Sequence, residues 1–181
     1  LKKMMPEDRL IELISIGHKK NIKPGEYFIR EGDIPQKFAF VISGLFRYLY
    51  FDNKGNEFTK GIIDQHNFIS SYSAMINNTP SYFFIEALED SEILEIKYQN
   101  WVTHINSDPY WVRFLLKFVE KGFIIKEKRE RELLLLDAET RYKNFLAEFP
   151  NLQGRVKQII IASFLGIQPE SLSRIRKKLN S

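Results

Sequence analysis

Two rhythms of apolar residues divide this chain. From Lys20 to Lys97 they fall in short runs, and from Pro109 onward they recur at helical spacing. The runs Tyr27-Phe-Ile29, Phe38-Ala-Phe-Val-Ile42, Leu45 to Phe51, Phe83-Phe-Ile-Glu-Ala-Leu88 and Ile93-Leu-Glu-Ile96 are rich in aromatic and branched residues, and several alternate as strands do. Turn formers stand between them, at Lys23-Pro24-Gly25, Glu31-Gly32-Asp33, Ser43-Gly44, Asp52-Asn-Lys-Gly55 and Asn77-Asn-Thr-Pro80. Short strands at such regular spacing predict a sandwich or jelly-roll barrel. Ahead of them, Asp8 to Ile16 predicts a helix with Leu10, Ile11, Leu13 and Ile14 on its buried side.

Pro109 can open a long helix, because proline is accepted in the first turn and Asp108 can cap it. This helix, about 109–136, carries one stripe of Val112, Leu116, Val119 and Phe123 and another of Trp111, Leu115, Phe118 and Ile125. A helix apolar on two sides needs two partners. One can be the strand-rich body and the other the same helix of a second copy, which makes a two-fold dimer economical. Charged neighbours in Lys126 to Glu132, such as Glu127 and Arg131, add only about 0.2–0.5 kcal/mol per pair. Asp137 can cap a further helix carrying Ala138, Tyr142, Phe145, Leu146 and Phe149, so the expected domain boundary lies there, between 1–136 and 137–181.

The chain has 181 residues, 44% of them apolar, enough to close a core in one domain or two small ones. Even its richest apolar stretch, Phe38 to Phe51, is interrupted by Ser43, Gly44 and Arg47, so no membrane span is expected. No apolar segment follows the N-terminal lysines, and the absence of an initiator Met suggests slight trimming; secretion is not expected. Cysteine is absent, which removes disulfides, thiolate metal sites, Cys-ligated iron–sulfur clusters and a cysteine nucleophile together, and fits a cytoplasmic location. The net charge of +4 is unevenly placed: residues 137–181 hold eight Lys/Arg and four Asp/Glu, while residues 1–136 hold nineteen of each. The excess positive charge therefore sits in the last quarter, where it forms either a solvated basic surface or an end that binds polyanions.

The window Gln158 to Lys177 has the requirements of a helix-turn-helix in order. Two helices crossing steeply on a short turn need a small residue at the contact, one tolerant of positive φ at the turn, and apolar residues beneath. Ala162 supplies the first and Gly166 the second, while Ile161, Leu165, Ile167, Leu172 and Ile175 supply the shared core. Pro169 falls in the first turn of the second helix, although Gln168 is a poor N-cap. In such a motif the second helix enters the major groove. Its presented face is Gln168, Glu170, Ser173 and Arg174, of which arginine can grip guanine O6 and N7 and glutamate can accept from cytosine N4. Arg176, Lys177 and Lys178 follow, placed for phosphates.

With its strand-rich body, long helix and terminal motif, the chain resembles the cyclic-AMP receptor / fumarate–nitrate regulator (Crp/Fnr) family of bacterial transcription factors. The likeness rests on Lys23-Pro24-Gly25-Glu26, Arg30-Glu-Gly-Asp33 and Val41-Ile-Ser-Gly44, similar to the turn glycines of that family's β-roll. Glu170-Ser-Leu-Ser173-Arg174 is similar to the Glu-x-x-Ser-Arg reading pattern of its fumarate–nitrate branch. The resemblance implies an α+β fold: an N-terminal double-stranded β-helix (jelly-roll) sensor domain, a long dimerisation helix and a C-terminal helix-turn-helix domain. It also implies a homodimer on palindromic double-stranded DNA, with base readout by Glu170, Ser173 and Arg174, and RNA polymerase as a further partner were the protein an activator.

The ligand site departs from the family pattern. Where cyclic-AMP binders carry Gly-Glu and then Arg, this chain has His66-Asn67-Phe68-Ile69-Ser70-Ser71 and Thr79-Pro80-Ser81-Tyr82-Phe83. A phosphate taken out of water wants a guanidinium or several backbone donors, so cyclic AMP is not expected; no cofactor is indicated, and the effector is left open. What remains is a pocket of Phe68, Ser70, Ser71, Tyr72, Ser81, Tyr82 and Phe84, open to an unidentified ligand or simply filled core. Two other classes stay in view. A sensing or interaction module would dock its basic end on a protein instead of DNA. A cupin-like metal enzyme would need converging His and carboxylates, whereas His18, His66 and His104 stand apart and no catalytic or metal site is expected.

Overall fold

Two four-stranded antiparallel sheets face each other across the first half of the chain in the computed structural model, which describes residues 4–152 and 154–179. The first three residues, on which the reading of the N-terminus rests, lie outside it. After helix α1 (Glu7–Ser15) come β1 (Gly17–Ile22), β2 (Tyr27–Ile29), β3 (Lys37–Ser43), β4 (Leu45–Phe51), β5 (Glu57–Asp64) and β6 (Phe68–Ile69). Helix α2 (Tyr72–Asn77), β7 (Phe84–Ala87) and β8 (Ser91–Lys97) complete the roll. One sheet has the order β1-β8-β3-β6 and the other β2-β7-β4-β5, so this is the expected jelly-roll within an α+β architecture. The chain passes from one sheet to the other through a single residue, Gly44, at φ +108°. Any side chain there would place its first carbon 2.7 Å from Ser91 Cα, so only glycine fits.

The period-two alternation of β3 and β8 splits their side chains between two cores. Ala39, Val41 and Ile93 point between the sheets, where they meet Phe28, Phe46, Ile69, Phe83 and Ile85. Phe38, Phe40, Leu94 and Ile96 point the other way, onto α1, α3 (Tyr98–Ser107) and the long helix α4 (Pro109–Leu135). Asp108 caps α4 by accepting from Tyr110 N–H at 2.8 Å and is paired with Arg9 at 2.5 Å. Trp111 and Phe114 are sunk against Trp101.

Several burial expectations need correction. In α1 only Leu10 and Leu13 are buried; Ile11 and Ile14 face outward, because a helix this short meets the sheet along one narrow stripe. On α4, Phe114 joins Trp111 in the core, whereas Ile125 is exposed because the inward packing reaches only as far as Phe118. Helices α2 and α3 and strands β1, β5 and β6 are not among the elements that the sequence pattern predicts. Beyond α4 lie α5 (Ala138–Glu148), capped by Asp137 accepting from Thr140 N–H, then α6 (Gln158–Leu165) and α7 (Pro169–Leu179). No helix among the described residues is long and apolar enough to cross a membrane.

Candidate nucleic-acid interface

The last two helices are positioned by local chemistry that the sequence prescribes. Gly166 ends α6 in the left-handed region at φ +66°, and Ile167 N–H folds back to donate to the carbonyl of Ala162 at 3.0 Å. The Gln168 carbonyl then accepts from Leu172 N–H at 3.2 Å and starts α7. Ala162, Ile161, Leu165 and Leu172 are buried together, with Ile167 and Ile175 packed against them. Holding these residues inward turns the opposite side of α7 outward: Gln168, Glu170, Ser173 and Arg174 are all exposed. Arg174 reaches back to Ser171 Oγ at 3.2 Å, a bond that keeps its side chain along the helix.

Of the cations toward the end of α7, Arg176 is half-buried and Lys177 and Lys178 are exposed. Lys178 pairs with Glu139 of α5 at 2.6 Å, which raises its affinity for a proton above that of an ordinary lysine. Glu139, bonded first by Lys143 and then by Lys178, is correspondingly held below the usual carboxylate range.

The helical pair does not stand alone, and nothing local in the sequence signals what it leans on. Strand β5 is the outer edge of its sheet, with backbone groups open to solvent or to a partner. Ser163 of α6 satisfies two of them: its Oγ accepts from Thr59 N–H at 2.7 Å and donates to the Glu57 carbonyl at 3.0 Å. Arg129 of α4 donates to the carbonyl of Thr59 at 3.2 Å and to that of Phe164, while its guanidinium lies 3.8 Å from the centre of the Phe164 ring. Burial lowers the Arg129 pKa to about 10. Leu45 and Ile62 of the roll join the apolar cluster of α5, α6 and α7, and Leu133 of α4 touches the turn at Gly166. The roll, the long helix and the terminal helices thus meet at one seam.

The residues expected to line a ligand pocket are divided by the fold. Phe68 packs away from the space between the sheets, against Phe38, Phe40, Phe114 and Phe118. Ser71 and Ser81 are buried with their hydroxyl oxygens 2.9 Å apart, and Ser70 N–H donates to the Tyr48 hydroxyl at 3.2 Å. Tyr72 and Tyr82 are exposed, and Phe84 packs against Tyr27 and Phe51. The serines come together; the four rings do not. The three histidines are equally scattered: His18 lies near Glu95, His104 near Glu12, and His66 stacks on Phe40. Among the described residues no three His, Asp or Glu side chains gather as a metal cluster.

Residues 19–108 match the family model of the cyclic nucleotide-binding domain. No curated protein matches the sequence significantly. Among solved structures, the c-di-GMP responsive global regulator CLP of Xanthomonas campestris superposes with a TM-score of 0.78 at 18% identity, over 96% of this chain and 92% of that one. FixK2 of Bradyrhizobium japonicum gives 0.79 at 16% identity, over 91% and 85%. The catabolite activator protein of Thermus thermophilus gives 0.62 at 18%, over 98% and 84%. The paired sheets, the long helix and the terminal helices thus share the fold of these solved structures, that of the Crp/Fnr regulators, and residues 19–108 resemble the cyclic nucleotide-binding domain.

Proposed function

We propose that the protein is a sequence-specific DNA-binding transcriptional regulator that grips roughly palindromic duplex DNA as a homodimer. One observation carries this reading: the side of α7 that its own core leaves free consists of Gln168, Glu170, Ser173 and Arg174, four groups able to bond base edges, followed by basic residues at the helix end. Residues 137–181 form the reading head and residues 1–136 the body and dimer helix. Val112, Leu116, Val119 and Phe123, exposed along one side of α4, are the surface that a second copy covers. Arg176, Lys177 and Lys178 meet phosphates, and Lys178 exchanges Glu139 for a phosphate when it does so. The protein is not an enzyme in this reading.

Selection of duplexes from random DNA, followed by fluorescence anisotropy across a salt series, tests the proposal. The expected outcome is an enriched inverted repeat with half-site centres about 34 Å apart, bound with an affinity that falls linearly on a log–log plot against salt. Selection that enriches no inverted repeat would overturn it.

A further inference from the structure

A second surface of α4 lies about a third of a turn around the helix from Val112, Leu116, Val119 and Phe123. Arg113, Lys117 and Lys121 stand there four residues apart, a row of cations at intervals of about 6 Å along the axis. All three are exposed. Together with Met4, Tyr110, Phe114 and Phe118 they line a cleft of about 440 Å³. Other cations along α4 are matched by acids. Arg9, 4.8 Å from the centre of the Tyr110 ring, is paired with Asp108 at 2.5 Å and Glu12 at 2.9 Å, and Lys128 is paired with Glu148 at 2.5 Å. By contrast, Arg113 and Lys117 have no carboxylate within 4.0 Å among the described residues. Lys121 donates to the neutral side chain of Asn67 at 2.5 Å and likewise meets no carboxylate among them.

Three cations one turn apart, unanswered by acids and set beside an apolar cleft, complement an acidic amphipathic helix. Carboxylates at every fourth residue lie along one side of such a helix at the same interval, and the apolar residues between them seek a groove. We propose that this flank of α4 docks an acidic amphipathic helix of a partner protein. Its carboxylates lie opposite Arg113, Lys117 and Lys121, and an apolar side chain seats among Met4, Tyr110, Phe114 and Phe118. A duplex fits less well: Arg113 stands about 30 Å up the axis of α4 from the end that leads to the terminal helices, and the cleft offers rings where a duplex would present phosphates and sugars. Exposed charge pairs are individually weak, so the seated apolar side chain anchors the partner while the cations fix its register and exclude neutral or basic helices. Nothing in this surface requires the terminal helices to read DNA.

The test is selection from a displayed library of random peptides, each long enough for several helical turns, on the immobilised full chain without DNA and at low ionic strength. Fluorescence anisotropy then measures the leading peptide. Enriched peptides are expected to carry Asp or Glu at four-residue intervals with Leu, Ile or Phe between them. The double variant Arg113→Glu with Lys117→Glu should weaken the leading peptide by about tenfold or more, whereas Arg131→Glu, at an exposed cation of α4 outside the cleft, should change its affinity by less than about twofold. Enrichment of peptides without an acidic repeat, or equal binding by wild type and the double variant, overturns the proposal. So does a loss in Arg131→Glu as large as that in the double variant, since net charge and not the cleft would then be responsible. Vesicles of phosphatidylglycerol that bind through Arg113 and Lys117, while no acidic peptide is enriched, would assign the cleft to a lipid surface and overturn it as well. Should the double variant not fold, as judged by its melting curve, Lys117→Ala and Met4→Glu decide: unchanged peptide affinity in both is equally fatal.

Discussion

The two sides of α4 are built from the same kinds of residue and meet opposite fates. Trp111 and Phe114 are at 0% and 7% exposure, clasped by Trp101, Phe68 and the sheet beneath. Val112, Leu116 and Phe123, a fraction of a turn around the same helix, are at 47%, 51% and 59%. Scattered exposed apolar residues are ordinary, but a stripe maintained over three turns of one helix is a surface shaped for contact. Amphipathicity alone therefore does not determine burial; it determines which residues need a partner, and the single chain supplies partners for one side of α4 only.

The largest expected effect comes from breaking the inward side. Trp111→Ala removes a fully buried ring and the bond from its Nε1 to Glu12, and should destabilise the chain by about 3–5 kcal/mol in urea titrations. On the outward side, Leu116→Glu combined with Phe123→Glu should leave the circular dichroism spectrum unchanged while weakening self-association by at least about 2 kcal/mol, read as a halved mass by light scattering. If the mass stays that of the wild type, the outward side is not the dimer surface. Arg174→Ala should cost about 1–3 kcal/mol at one position of each half-site and relax selectivity there. Lys177→Ala should instead weaken all duplexes alike and reduce the salt slope by about 1. Identical effects from these two variants would erase the distinction between base-reading and phosphate-binding residues.

The smallest effect concerns the caps that launch α4 and α5. Hydrogen bonds from Tyr110 N–H and Thr140 N–H hold the carboxyls of Asp108 and Asp137 below the usual carboxylate range. A carboxyl whose native pKa is depressed contributes fully above its unfolded value, and that contribution is lost as pH falls through the folded one. Urea midpoints should therefore begin to decline just below about pH 4, and Asp108→Asn with Asp137→Asn should flatten that decline.

What was legible in the sequence, and what was not, follows the sheet edges. Strands with neighbours on both sides, β3, β4, β7 and β8, are apolar enough on their buried positions to be recognised, and all were. The missed strands β1, β5 and β6 are edges. In β1, Gly-His-Lys-Lys-Asn-Ile, only Ile22 is buried, so no alternation survives to be read. Missing β5 concealed Thr59, and with it the seam. The terminal helices were legible because their turn depends on one glycine and their core on residues within twenty positions. By contrast, Ser163 meets Glu57 across more than a hundred residues, and nothing local to either announces the other.

One further consequence belongs to Gly44. A passage of one residue between the sheets, with no room for even a methyl group, leaves them no slack to slide past each other. The roll is thereby locked into a rigid cassette. Movement passed between the roll and the terminal helices must then run along the rim, where β5 and α4 bond to α6, and not through a breathing of the two sheets.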